Sequence, residues 1–260
     1  MNRTGIEYLD FTWNPVTGCT PVSDGCDNCW ARAMHNRKLF GNRPFKEVTL
    51  HPDRLDEPFQ RNKPARIGVC FMGDLFHKDI HRDFILRVWH VMERSPQHTF
   101  LVLTKRAERM HYWINEWLPG ALTLAYFHEV HKLPLPNVWL GVSIEDQATA
   151  DERIPWLLKT PVAHRWVSYE PALGPIDLEK YLLPACIDPR GTHDPEDCDE
   201  RFLDWLVCGG ESGPHARPMH LEWARSVRDQ CRSAGVSFYM KQMSKRKPIP
   251  DDLMIREFPK

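Results

Sequence analysis

Short β-rich runs alternate with segments of helical period along most of this 260-residue chain. Apolar, aromatic and β-branched residues crowd into Phe11–Trp13, Ile67–Phe71, Thr99–Leu103, Val138–Ser143, His164–Tyr169, Trp205–Cys208 and Val236–Met240, which have the length and composition of strands. Between them Phe84, Ile85, Val88, Trp89 and Met92 recur at helical spacing, as do Leu221, Ala224, Val227, Cys231 and Ala234, and a further helix is expected over Arg106–Leu118. Such alternation predicts a parallel sheet covered by crossover helices rather than a sandwich. The fold class is therefore α/β, with an open or partial (β/α) barrel favoured and a doubly wound sheet giving the same linear order.

Polar residues fall where a parallel fold would use them. The expected strands run directly into FMGDLFH, LTKR, VSIED, SYEP, GGESG and MKQ. Parallel α/β folds bind ligands at the carboxyl ends of their strands, so Asp74, Lys105, Glu145, Glu170, Glu211 and Lys241 are expected at one mouth. A single acidic residue after a strand is more often a helix cap or a solvated charge, and it is the repetition after six strands that carries weight. The glycines of GGESG would let backbone amides approach a ligand, or would only form a turn.

Composition narrows the class. With 42% apolar and 27% charged residues the chain can bury a sizeable core, and its length suits one large α/β domain or two small ones, one domain over 1–260 being expected. A net charge of −1 gives no global basic footprint for nucleic acid, though a local groove is compatible with it. The segment MNRTGIEYLDFTW lacks the apolar core of a signal peptide and no run approaches a membrane span, so a cytoplasmic protein without membrane contact is expected. Residues 186–201, acidic and rich in Pro and Gly, read as an exposed insertion carrying Cys186, His193 and Cys198, and residues 243–260 as a C-terminal tail with a basic patch at Lys245, Arg246 and Lys247.

In a reducing compartment the eight cysteines are not a disulfide framework. Cys19, Cys26 and Cys29 fall in TWNPVTGCTPVSDGCDNCWA, with gaps of six and two residues, and three thiolates are one short of a closed tetrahedral site or a fully enclosed iron–sulfur cluster. One coordination position would then be open for chemistry. The rival reading closes the site with His35, giving a structural zinc in a binding or interaction protein rather than an enzyme.

The motifs TWNPVTGCTPVSDGCDNCWA, MGDLFH, WLGVSIED, SYEPALGPI, WLVCGGESGPHARP and CRSAGVSFYMKQ together resemble the phage Gp37/Gp68 family, also catalogued as a domain of unknown function and grouped with radical S-adenosylmethionine (SAM) enzymes. The likeness runs from about Thr12 to Gln242. It implies a partial TIM-type barrel, a four-iron, four-sulfur cluster on Cys19, Cys26 and Cys29, and SAM on the open iron, cleaved to a 5′-deoxyadenosyl radical with an electron from a reducing partner. The commonest pattern of such enzymes spaces the first two cysteines by three residues, against six here. By position Asp74, Ser143, Glu145 and Glu211 are candidates for binding SAM, and Glu170 and Lys241 for the substrate side of the mouth. Cys208, and also Cys70, are candidate hydrogen-atom donors at strand ends, against the alternative that each thiol is a small core side chain. The phage association and the basic tail make nucleic acid or a precursor a candidate substrate. A lesion lyase resembling spore photoproduct lyase is one conceivable subtype.

Overall fold

The apolar runs form strands close to where the sequence puts them. The computed structural model describes residues 1–36, 43–120, 133–182, 202–213 and 215–259, and the expected insertion at 186–201, with Cys186, His193 and Cys198, lies outside them. The chain divides into two compact units, residues 1–142 with 160–163, and residues 143–159 with 164–260.

In the first unit β1 (Asn2–Arg3) pairs antiparallel with β2 (Phe11–Trp13), while β3 (Val16–Thr17), short α1 (Trp30–Met34) and β4 (Thr49–Leu50) build the region after it. β3 and β4 pair with each other as a separate two-stranded sheet. The main sheet continues in parallel from β2 to β5 (Arg66–Val69), then β6 (Thr99–Thr104) and β7 (Val138–Ile144), with α2 (Arg82–Glu93) between β5 and β6 and α3 (Ala107–Tyr112) between β6 and β7. Strands covered on both faces need nearly continuous apolar sequence, which Ile67, Val69, Phe100, Leu101, Val102, Leu140 and Val142 supply, all fully buried. The face expected on α2 is buried as a stripe, with Val91 added to it. The helix expected over 106–118 begins at Ala107 and passes into wider π-type turns over Trp113–Trp117.

The second unit opens on the last two residues of β7. It continues through α4 (Gln147–Lys159), β8 (His164–Tyr169), α5 (Glu179–Leu182), β9 (Trp205–Gly209), α6 (Leu221–Ala234) and β10 (Ser237–Gln242), with β8, β9 and β10 parallel in that order. Helix α6 buries Ala224, Val227 and Cys231 and stops at Gly235, whose φ of +70° lets the backbone of Gly235 and Val236 bond the last turn. Helix α4 contains Pro155 and puts Arg153 among Ala150, Ile154 and Leu157 on its buried face, so neither propensity nor apolar pattern announces it.

Residues 243–259 pack against β9 and β10. The Met240 amide donates to the Ile255 carbonyl, that of Glu257 donates to Phe238, and the Phe258 ring stacks on Trp205 with centroids 5.4 Å apart. Near the start of this segment Gly210 presses on Ser244, where a Cβ would lie 2.6 Å from the Ser244 amide nitrogen. Gly210→Ala should therefore cost about 1–3 kcal/mol in urea unfolding, the usual size of an overpacking strain.

Candidate functional site

The carboxyl ends of β2, β5 and β6 meet around one carboxylate in the first unit. Asp74, 4% exposed, follows β5. Its Oδ1 accepts from the Phe76 amide and the Thr104 hydroxyl at 2.9 and 2.8 Å, and its Oδ2 accepts from the Arg106 Nη1 at 2.8 Å and the Lys105 amide at 3.3 Å. The same Arg106 guanidinium reaches the cysteine loop, where Nη1 lies 3.5 Å from the Cys19 sulfur and Nη2 donates to the Thr20 carbonyl at 2.9 Å. The Thr20 hydroxyl in turn meets His77 Nε2 at 2.8 Å. Because His77 Nδ1 accepts from the Asp79 amide, Nε2 carries the proton and donates to Thr20. Burial, then the Arg106 charge, holds the His77 pKa below its ordinary value.

The loop itself is set by backbone. Gly18, at φ +86°, sits where a Cβ would come within 2.4 Å of the Glu47 carbonyl oxygen, and the Cys19 amide donates to the Phe45 carbonyl. A turn over Asp24–Cys26 and the start of α1 then carry Cys26 and Cys29, with the Cys29 amide bonded to Cys26 and the Ala33 amide to Cys29. All three thiols are free and half-buried. Burial pushes the Cys19 thiol up to about 11, with Asp74 adding to the rise and Arg106 opposing it. Burial also acts to raise Cys26, but the Lys105 charge and hydrogen bonds from Val22 and Ser23 bring it net below the ordinary thiol value.

Three free thiols on one loop, beside two cations, are the kind of donor an iron–sulfur cubane takes, and would hold three of its four irons. Among the described residues, however, no three His, Cys, Asp or Glu side chains converge as a metal-ligand set in this arrangement. The thiols are gathered on one loop without being closed around a centre. His35 does not complete a tetrahedron with them; its Nε2 meets the Arg43 carbonyl oxygen at 2.6 Å and its buried ring packs edge-on to Phe45. Val22 and Trp30 on the same loop are 47% and 43% exposed.

In the second unit the strand ends carry three further clusters. Lys241 of β10 donates to both oxygens of Glu170, at 2.7 and 2.6 Å, and Gln242 bridges Glu170 to the Gly210 carbonyl at 3.2 and 2.7 Å. Ser143 donates to the Glu170 backbone carbonyl at 3.0 Å. Glu145 is 1% exposed and held by Arg153 at 3.1 Å. Glu211 accepts from Arg217 twice through the guanidinium and once through the amide, at 2.6, 3.1 and 2.7 Å. Thus Glu145 and Glu211 each hold a specific arginine, and Glu170 and Lys241 hold each other. Cys208 lies within β9 with no exposed surface, and Cys70 is 1% exposed; burial pushes both thiols far up.

Arg106, Thr104, Thr20 and His77 belong to the first cluster although the sequence singles out none of them. LTKR marks the strand end, but nothing in one sequence shows that the second cation of that run turns back to a loop 86 positions earlier.

The family described as "Protein of unknown function (DUF5131)" matches residues 3–252, and the chain belongs to it. No curated protein matches the sequence. Solved structures of spore photoproduct lyase are similar. The complex with dinucleoside spore photoproduct shows 11% identity and a TM-score of 0.45 over 92% of this chain and 78% of that one. A mutant with bound AdoMet and dinucleoside spore photoproduct gives 11% and 0.45 over 93% and 78%. A likeness this loose fixes neither reaction nor substrate.

Three outcomes follow from these sites. Asp74→Ala leaves Arg106 without its buried carboxylate and should lower unfolding free energy by about 3–5 kcal/mol in urea titration. In metal-free, reduced protein, iodoacetamide should modify Cys26 before Cys19 at pH 8, because the thiolate is the reacting form. Cys70 and Cys208 should stay unmodified until the chain unfolds, as peptide mass mapping would show.

Proposed function

We propose that this member of the DUF5131 family is a cytoplasmic radical SAM enzyme on a partial (β/α) barrel, with Cys19, Cys26 and Cys29 holding a four-iron, four-sulfur cluster and SAM bound at the fourth iron. The observation that carries the reading is the donor set: three free, half-buried thiols within residues 19–29, backed by Arg106 and Lys105. When bound, such a cluster and SAM supply one-electron reductive cleavage to a 5′-deoxyadenosyl radical, the electron coming from an external reductant. The phage Gp37/Gp68 likeness of the motifs points the same way, and nucleic acid or a precursor is the substrate class in this reading.

The chain's own part is to hold and orient. Arg106 donates to the Cys19 sulfur, and hydrogen bonds to cluster sulfurs are a known lever on reduction potential. Asp74 acts through Arg106, since both of its oxygens are engaged inside the protein, and is a positioning group for the loop. Glu145 and Glu211 fix Arg153 and Arg217 in the same manner, so their part in binding SAM is to shape the strand ends. Ser143 fixes the backbone at Glu170. Glu170 and Lys241, 17% and 14% exposed, are the half-open charged pair and the groups we assign to substrate. Cys208, the candidate hydrogen donor, would need an opening of β9 to act.

Protein purified without oxygen should be brown, contain about four irons per chain and release 5′-deoxyadenosine from SAM once reduced with dithionite. Cys26→Ala should lose both colour and cleavage, and Cys198→Ala neither. A colourless protein carrying one zinc per chain would overturn the assignment in favour of a structural metal site.

A further inference from the structure

The turn after β10 carries three consecutive cations that no described residue pairs. Lys245, Arg246 and Lys247 are exposed, and among the described residues none of their side chains makes an ion pair or hydrogen bond. Two potential internal partners are already committed, Glu211 to Arg217 and Asp252 to Arg225 and Arg228. Three cations against the one exposed carboxylate of Asp251 leave residues 245–251 at a net charge of +2, in a chain whose total is −1. The excess is local.

The turn is also fixed in shape. Lys245 and Arg246 both have positive φ, +57° and +53°, a conformation that side-chain-bearing residues adopt only when their surroundings impose it. The surroundings are visible. The Lys245 amide donates to the Glu211 carbonyl, those of Arg246 and Lys247 donate to Met243 and Ser244, and the Ser244 hydroxyl accepts from the Met219 amide while donating to the Arg217 carbonyl. With the three amides consumed, the turn has no backbone cradle for a single phosphate. What it offers is a row of side-chain cations, which suits an extended polyanion.

A stacking element adjoins it. Met219, bonded to Ser244, is followed by His220, whose exposed ring lies 4.5 Å from that of half-buried Trp223. His220 precedes α6 and its side chain caps nothing, so the helix does not account for it. Cations that track a backbone beside aromatic rings that accept unpaired bases are the two elements of single-strand recognition. We infer that residues 245–247 with His220 and Trp223 form a binding surface for single-stranded nucleic acid. As the identity of the substrate this rests on the function proposed above; as a binding surface it stands on its own residues.

The test is fluorescence anisotropy of a labelled twenty-nucleotide oligothymidine with the full chain. Affinity should fall steeply with salt. Replacing the cations together (Lys245→Gln, Arg246→Gln, Lys247→Gln) should weaken binding at least about tenfold and lower the salt slope by about 2, since each phosphate contact on a single strand contributes about 0.7. His220→Ala should weaken binding about fivefold with the salt slope unchanged, as loss of one stacked base would. Unfolding curves matching the wild type would confirm that both variants are intact. No rise in anisotropy at low salt, or wild-type affinity in the triple variant, would overturn the proposal. So would equal affinity for a heparin fragment that His220→Ala leaves unchanged, which would mark a surface for any polyanion. A chain that holds about four irons but ignores the oligonucleotide sinks this surface and leaves the chemistry standing, and a chain that binds without iron does the reverse.

Discussion

One buried ion pair organises the first unit's strand ends. The Asp74 carboxylate faces the Arg106 guanidinium with both side chains nearly out of solvent, and neither could stay charged there alone without a penalty of several kcal/mol. Each therefore requires the other. Because Asp74 follows β5 and Arg106 follows β6, the pair locks those two strand ends together. Because Arg106 has donors left over, it also fixes Thr20 and touches Cys19, so the position of the first cysteine is inherited from the sheet. The electrostatic pair and the cysteine loop are one construction.

The second unit repeats the device. Glu145 with Arg153, Glu211 with Arg217, and Glu170 with Lys241 each put a carboxylate at or just beyond a strand end and satisfy it with a cation from the same unit. Three of these four strand-end pairs, counting Asp74 with Arg106, use arginine, whose planar fork can satisfy two acceptors at once and is less strongly hydrated than an ammonium. The lysine pair is the exception. Glu170 and Lys241 are also among the more solvent-accessible members of this set, which is why they are the ones assigned to a ligand rather than to the framework.

Much of this fold was legible in the sequence because strands buried on both faces write themselves as apolar runs. His164–Tyr169 forms over the whole expected span, and Thr99–Leu103 and Trp205–Cys208 each extend by one residue. What failed to show was whatever breaks pattern to satisfy a charge. Helix α4 was invisible because Arg153 occupies its inner face to meet Glu145 and Pro155 interrupts its propensity. The acidic residues after the strands were found, and so was Lys241, but the arginine partners were not: composition shows that a carboxylate is present, and only the three-dimensional path shows which cation reaches it. Within each unit the expected strand-end carboxylates are charge-paired. The backbone of the basic turn was equally silent, since nothing in the letters of Lys245 and Arg246 announces a left-handed conformation.

The lock at Gly18 has a corollary for how this loop can vary. With the preceding residue wedged against the Glu47 carbonyl and the following one gripped by Arg106, Cys19 has little freedom to move along the chain. Pro21 and Val22, which come next, are solvent-facing, and regular hydrogen bonding resumes only where the Cys26 amide meets Ser23. Extra length inserted there would meet solvent rather than the sheet. A six-residue gap and a shorter one thus become alternative lengths of the same tether, with the sulfur at its near end held in register by the sheet.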